Sequence, residues 1–238
     1  EVPFGTTLRE IVYSIGGGVT NDDGTICLEG FKAVQIGGPS GGCLTEEHLD
    51  LPLDFDSLTS IGAMVGSGGL VVMNKKTCMI KMARFFMQFT QNESCGKCVL
   101  CREGTKQMLS ILDDITSGNG TLESLDLLSE LGNAVKKGSL CGLGKTAPNP
   151  VLSLMNYFHE EYISHVVHKR CTAKQCTALL IPHIDEVLCK GCGVCIKKCP
   201  TNAITGNKKE VHVINESLCI KCMACVDACR LNAVLVGD

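Results

Sequence analysis

The sequence contains no tryptophan, and aromatic residues make up only 4% of its 238 positions. Its cores must therefore rest on Leu, Ile, Val and Met. It lacks an excess of positive charge: 22 Lys and Arg stand against 25 Asp and Glu, for a formal net charge of -3. Nothing resembles the basic footprint of a nucleic-acid binder. Long apolar runs are missing too. The longest, Ile61 to Met73, is broken by four glycines and a serine, and it falls far short of the roughly 20 residues that cross a bilayer. There is no charged-then-apolar secretory leader. The chain opens on Glu1 rather than Met, as expected of a piece of a longer polypeptide.

Cysteine is what the sequence has in abundance. Seventeen is an odd number, so the cysteines cannot all pair as disulfides within one chain. Their spacings are those of metal ligands, and free thiolate sets persist in reducing compartments. The expected location is cytoplasmic, in an anaerobe or another cell that meets little oxygen.

The pattern is that of an α+β multidomain chain. Residues 1–73 read as a small α/β unit. Thr7 and Glu10 fit a capping box, and Leu8, Ile11, Val12 and Ile15 recur at helical spacing before Gly16. Phe31 to Ile36 and Leu70 to Met73 read as strands separated by glycine-rich turns. Residues 74–168 read as a four-helix bundle. Cys78 to Gln91 is apolar nearly all round and is expected to be buried. Met108, Ile111, Leu112 and Ile115 form a second stripe. Leu128, Leu131 and Val135 form a third, with Lys136 and Lys137 suiting a helix C-terminus. Val151, Leu154, Met155, Phe158 and Tyr162 share the face of a fourth helix after Asn149 and Pro150. Residues 169–183 form a polar connector, and residues 184–238 a cysteine-rich unit.

That last unit contains a repeat offset by thirty residues. It reads Cys189-x2-Cys192-x2-Cys195-x3-Cys199-Pro200, then Cys219-x2-Cys222-x2-Cys225-x3-Cys229. A cubane iron–sulfur cluster needs four thiolates converging on one small volume. Here three come from a tight loop, and the fourth belongs to the other cluster. One 4Fe-4S cluster is thus assigned to Cys189, Cys192, Cys195 and Cys229, and its neighbour to Cys219, Cys222, Cys225 and Cys199. The fourth cysteine of each run is expected to begin a helix. Two zinc knuckles are the plain alternative, but zinc pairs C-x2-C with a distant second pair and does not call for a third close cysteine. The unit resembles two-cluster bacterial ferredoxins, departing from them in Arg230, which stands where a proline would follow Cys229.

A third set is Cys95-x2-Cys98-x2-Cys101, with Cys141 in Ser139-Leu140-Cys141-Gly142-Leu143-Gly144 as its fourth member. The alternative is a group of buried free cysteines. Whether Cys141 meets the loop is left open by the spacing. The stretch Glu93-Ser94-Cys95-Gly96-Lys97-Cys98-Val99-Leu100-Cys101-Arg102-Glu103-Gly104 resembles the cluster loop of the NADH-oxidising flavoprotein subunit of respiratory complex I. It is similar also to the beta subunits of NAD-linked FeFe hydrogenases, electron-bifurcating ones included, and of soluble NAD-linked formate dehydrogenases. The resemblance extends to Val2-Pro3-Phe4-Gly5-Thr6-Thr7-Leu8-Arg9 and to Ile36-Gly37-Gly38-Pro39-Ser40-Gly41-Gly42. It implies a β-grasp domain over residues 1–73. A ferredoxin tail is similar to the hydrogenase and formate-dehydrogenase branch.

The resemblance also implies FMN and NAD(P) on a domain preceding Glu1. Within the chain, Gly37 to Gly42 does not fit a dinucleotide-binding fingerprint. The expected role is thus an electron relay through three 4Fe-4S clusters, with no catalytic residue and no catalysis by this piece alone. Implied partners are a catalytic hydrogenase or formate dehydrogenase subunit, a small 2Fe-2S subunit and ferredoxin. No nucleic acid or membrane span is expected. A structural or sensory iron–sulfur scaffold is the competing function.

Five cysteines are left over. Cys27 and Cys43 read as packing residues. Cys171-x4-Cys176 lies in the connector, His165 precedes it by six residues, and Cys78 begins the first bundle helix. Three thiolates and an imidazole make a closed tetrahedral zinc site, expected to root the tail and act as a pivot. Buried thiols and a core histidine are the alternative, with His168 and His183 as surface residues.

Overall fold

The computed structural model describes residues 1–236 except Asp22 and Leu28. It divides into two compact units, Glu1–Cys176 and Thr177–Asp238.

The first unit opens on a short π-helix, Glu10–Ile15, where the sequence pattern gives an amphipathic helix. Thr7 Oγ1 accepts from the Glu10 amide at 3.2 Å, half of the expected capping box. Strand β1 (Phe31–Ile36) pairs with β2 (Gly42–Leu44); helix α1 (Phe55–Ser60) and strand β3 (Leu70–Asn74) follow. The antiparallel sheet has the order β2-β1-β3. Gly37 to Gly41 makes the turn from β1 into β2. Gly37 and Gly38 sit at φ +93° and +76°, and a Cβ at Gly37 would fall 2.4 Å from the Met64 carbonyl oxygen. Glycine is required there by a hairpin, not by a phosphate. Leu8, Val12, Phe31, Ile36, Leu44 and Leu58 fill the core beneath.

Helices α2 (Met79–Asn92), α3 (Val99–Ser117) and α4 (Leu122–Gly138) come next, then α5 (Gly142–Thr146), α6 (Asn149–Tyr157) and α7 (His159–Val166). Two details differ from the sequence pattern. Helix α2 buries Met79, Ile80, Ala83, Phe86 and Met87, but Phe85 and Phe89, one turn apart, are exposed. The run is apolar all round, yet packing covers only one side of it. The fourth helix is two helices, because Phe158 leaves the helical region (φ -120°, ψ 36°) and its ring lies under the Lys32 ammonium, 5.8 Å from the centroid. The α3 and α4 axes approach closely: a Cβ at Gly104 would fall 2.3 Å from Val135 Cγ2. Met108, Leu112, Ile115, Leu128, Val151 and Leu154 fill the space between helices.

The second unit holds β4 (Pro182–Ile184), α8 (Val194–Lys198), β5 (Ile204–Thr205), β6 (Val213–Ile214), α9 (Ala224–Ala228) and β7 (Val234–Val236). Two antiparallel ribbons, β4-β7 and β5-β6, carry the repeat. Cys199 and Cys229 do not begin helices, as the spacing led us to expect; they are C-caps of α8 and α9 with extended backbone. The helices begin earlier, because Gly193 and Met223 at positive φ turn the chain just before the third cysteine. Pro200 disfavours helical backbone at Cys199.

Candidate metal centres

In the second unit the two turns bring the cysteines together in crossed sets. One cavity, with about 310 Å³ of empty space, is lined by Cys189, Cys192 and Cys195 of the first run and Cys229 of the second. Its twin, also about 310 Å³, is lined by Cys219, Cys222, Cys225 and Cys199. The walls are apolar, supplied by Ile184, Ala233 and Val234 around one and by Ile214, Ala203 and Ile204 around the other. Amides already point at sulfur: Ala203 N donates to Cys199 Sγ and Ala233 N to Cys229 Sγ, each at 3.2 Å. Four thiolates, an apolar wall and inward amides suit a cubane cluster.

In the first unit, α2 ends where α3 begins, and α4 runs back antiparallel to α3. The turn after α4 therefore returns to the loop before α3. A Cβ at Gly138 would strike Leu100 Cδ1 at 2.0 Å, and one at Gly144 would lie 3.3 Å from the Cys101 Cβ. The Cys141 turn thus rests on the start of α3, the placement that the spacing left open. Cys98 is the N-cap of α3, Cys101 is buried in its first turn, and Cys95 and Cys141 are exposed. Gly96 at φ +77° bends the loop, and Arg102 Nη1 donates to its carbonyl. Ser94 Oγ lies 3.3 Å from Cys101 Sγ. Cys141 is the N-cap of α5. The Gly144 amide pointing at its sulfur lowers the thiol's pKa, against a smaller opposing effect of burial. The site opens between exposed Val99 and Leu140.

A third arrangement lies among α2, α7 and the segment after α7. The ligand atoms of Cys78, His165, Cys171 and Cys176 all lie within 4.8 Å of one another, and all four residues are buried. Cys78 Sγ is 3.4 Å from His165 Nε2 and 3.7 Å from Cys176 Sγ. Cys176 Sγ is 3.5 Å from the same nitrogen. The other ring nitrogen, Nδ1, sits 2.7 Å from the Glu161 carbonyl oxygen one turn earlier. Donating there, it would leave the Nε2 lone pair free for a metal ion held among the sulfurs. Glu161 is fixed in turn by a half-buried ion pair with Lys32 and by the Met79 amide. Gln175 braces the sulfurs: its backbone N–H donates to Cys171 Sγ at 3.4 Å, and its side-chain Oε1 accepts from Cys78 N at 3.2 Å. Burial disfavours charge on His165, but hydrogen bonds to Cys171 and Cys78 outweigh it and push its pKa up to about 10. Cys171 is driven down by hydrogen bonds from Cys176 and Cys78, while Cys176 is driven up by its bonds with Cys171 and Cys78. The set stabilises added positive charge, and a divalent cation would relieve the competition among its sulfurs. The donor set and its convergence fit zinc.

The supporting groups Ser94, Glu161, Gln175 and His212 were not apparent from cysteine spacing. Of the remaining cysteines, Cys43 is buried, as a packing residue should be, whereas Cys27 is only half-buried. His168 and His183 are exposed. No helix of the described residues is long and apolar enough to cross a membrane.

Residues 81–165 match the family described as the NADH-ubiquinone oxidoreductase-F iron-sulfur binding region. Residues 181–230 match the 4Fe-4S dicluster domain. The NADP-reducing hydrogenase subunit HndC of Solidesulfovibrio fructosivorans is 49% identical over 214 residues, covering 89% of this chain and 42% of that protein. The F component of the NADH-quinone oxidoreductase of Streptomyces coelicolor is 35% identical over 171 residues, covering 72% of this chain and 36% of its own length. Among solved structures, an NAD+-reducing NiFe hydrogenase in its H2-reduced state matches with a TM-score of 0.58 at 29% identity, over 69% of this chain and 26% of that one. The chain thus spans less than half the length of these relatives. The Cys95, Cys98, Cys101 and Cys141 set and the two crossed sets of the second unit fall within the two matched iron–sulfur regions, and the chain belongs with the C-terminal region of proteins of the NADH-quinone oxidoreductase F and HndC type.

Proposed function

We propose that the chain is an electron relay of three 4Fe-4S clusters within an NAD(P)-linked hydrogenase complex. Cys95, Cys98, Cys101 and Cys141 hold one. Cys189, Cys192, Cys195 and Cys229 hold the second, and Cys219, Cys222, Cys225 and Cys199 the third. The observation that carries this reading is the pair of twin cavities, each lined by three cysteines of one run and the last of the other. When bound, such clusters take up and release single electrons at potentials set by their surroundings. The chain's own part is to hold the thiolates, aim amides at sulfur and keep water away with apolar walls. Crossed ligation ties the two tail clusters together at the short separation that electron hopping needs. Exposed Cys95 and Cys141, between Val99 and Leu140, leave the first site open to a donor. That donor is an FMN reduced by NAD(P)H elsewhere in the polypeptide. The acceptors are clusters of a hydrogenase catalytic subunit, a small 2Fe-2S subunit or ferredoxin. The relatives' names supply the hydrogenase setting. The FeFe and electron-bifurcating assignment extends that setting.

An anaerobic redox titration followed by EPR tests the relay. Reversible low-potential signals, two of them magnetically coupled, are expected. Clusters that disintegrate on reduction would instead favour a structural scaffold. A Cys98→Ala variant should lose one cluster and keep the coupled pair.

We propose further that Cys78, His165, Cys171 and Cys176 hold one structural zinc ion. Zinc should co-purify without being added. Its absence, or unchanged zinc in a Cys171→Ser/Cys176→Ser double variant, would remove the site.

A further inference from the structure

The thirty-residue repeat gives nearly every group at one tail cavity a counterpart at the other. Ile184 matches Ile214, Ala233 matches Ala203, and Val234 matches Ile204. Among the pairs that differ in chemistry, one places a buried side-chain donor at sulfur. His212 lines the cavity of Cys189, Cys192, Cys195 and Cys229, and Pro182 holds the equivalent place in the twin. His212 is only 2% exposed, and its Nδ1 lies 3.3 Å from Cys195 Sγ. Its Nε2 has no partner among the described residues, so the sulfur is the ring's polar contact. A cluster-bound thiolate carries no proton, so Nδ1–H must be the donor. Pro182 has neither a side-chain donor nor a backbone N–H. The seat for the ring is built in: a Cβ at Gly206 would fall 2.5 Å from His212 Cδ2.

Charge differs in the same direction. Lys190 lines the first cavity where Ile220 lines the second. Two contacts oppose the trend. Thr201 Oγ1 lies 3.7 Å from Cys199 Sγ, and the Lys221 amide donates to Cys219 Sγ at 3.4 Å. The first is long and the second is a single amide. They stand against a buried imidazole N–H and the ammonium of Lys190. Donors at sulfur and nearby positive charge both favour the more negative, reduced cluster and so raise its potential.

We propose that the tail pair is inequivalent, and that the cluster on Cys189, Cys192, Cys195 and Cys229 is its higher-potential member, where an electron entering the tail comes to rest. His212 is a positioning residue that acts through the Cys195 sulfur. This inference rests on the cluster assignment above.

The test is an EPR-monitored titration of the full chain reconstituted anaerobically with iron and sulfide. The Cys98→Ala variant identifies the midpoint that belongs to the first unit. In the wild type the two tail midpoints should be separate. His212→Phe should move the more positive one to lower potential and leave the other in place. His212→Asn, which keeps an N–H, should move it less. Lys190→Ile, at an exposed position, should move the same midpoint the same way, with a shift that shrinks as salt is added. If His212→Phe fails to hold its cluster, the lysine exchange decides alone. Coincident wild-type midpoints, a shift in the more negative one, or none in any variant would overturn this inference and leave the cluster assignment standing. A chain with no reversible low-potential signal would overturn both.

Discussion

Cys43 and Cys141 are the same residue type in opposite settings. Cys43 is buried in β2, its amide donating to Ser153 Oγ, and burial pushes its thiol up to about 12. Cys141 is exposed at the tip of a turn, where the Gly144 amide lowers its pKa. A thiol with a pKa near 12 is only about one part in ten thousand thiolate at pH 8. Cys43 should therefore stay unmodified by iodoacetamide at pH 8 until the chain is denatured, as read by peptide mass mapping. Labelling of the folded chain at Cys43 would contradict its placement. At this scale the sequence was legible where ligands sit close together in the chain, because loop spacing is itself the geometry. His212 was not legible, because it lies seventeen residues from the sulfur it touches. Only laying the repeat on itself, with Pro182 opposite, could have singled it out.

Among the elements, the α3–α4 pairing matters most, since it returns the Cys141 turn to the Cys95 loop. That pairing depends on Gly104, whose hydrogen faces Val135 with no room for a methyl group. Gly104→Ala should destabilise the chain by about 1–3 kcal/mol through overpacking. A lowered midpoint in denaturant, followed by circular dichroism, is the check; an unchanged midpoint would mean the helices are not so close. Helical periodicity located α2, α3 and α4 because one apolar stripe repeats through each. It missed the break at Phe158, where the apolar stripe continues through Tyr162 while the backbone does not. It also missed the π-helical form of Glu10–Ile15, since π and α turns share nearly the same apolar spacing over six residues. The exposure of Phe85 and Phe89 depends on which neighbours cover α2, which composition does not encode.

The two units of the whole molecule rest on different physics. Residues 1–176 have apolar cores of their own under the sheet and between the helices. Among the described residues the tail's core cluster centres on Cys195, Ile204, Cys225 and Val234, two of them cysteines, with half-buried Ile184, Ile196, Ile214 and Val226 around them. So small a core cannot offset chain entropy without staples, and the bonds from cysteine to iron supply them. The zinc proposed at Cys78, His165, Cys171 and Cys176 would likewise tie the last segment of the first unit to α2 and α7.

Iron and acid-labile sulfide per chain, measured on protein reconstituted anaerobically, test the central claim most directly. Three cubanes require about twelve of each. A plateau near eight would leave the Cys95, Cys98, Cys101 and Cys141 set without a cluster. Metal bound as zinc, with no labile sulfide, would contradict the relay altogether.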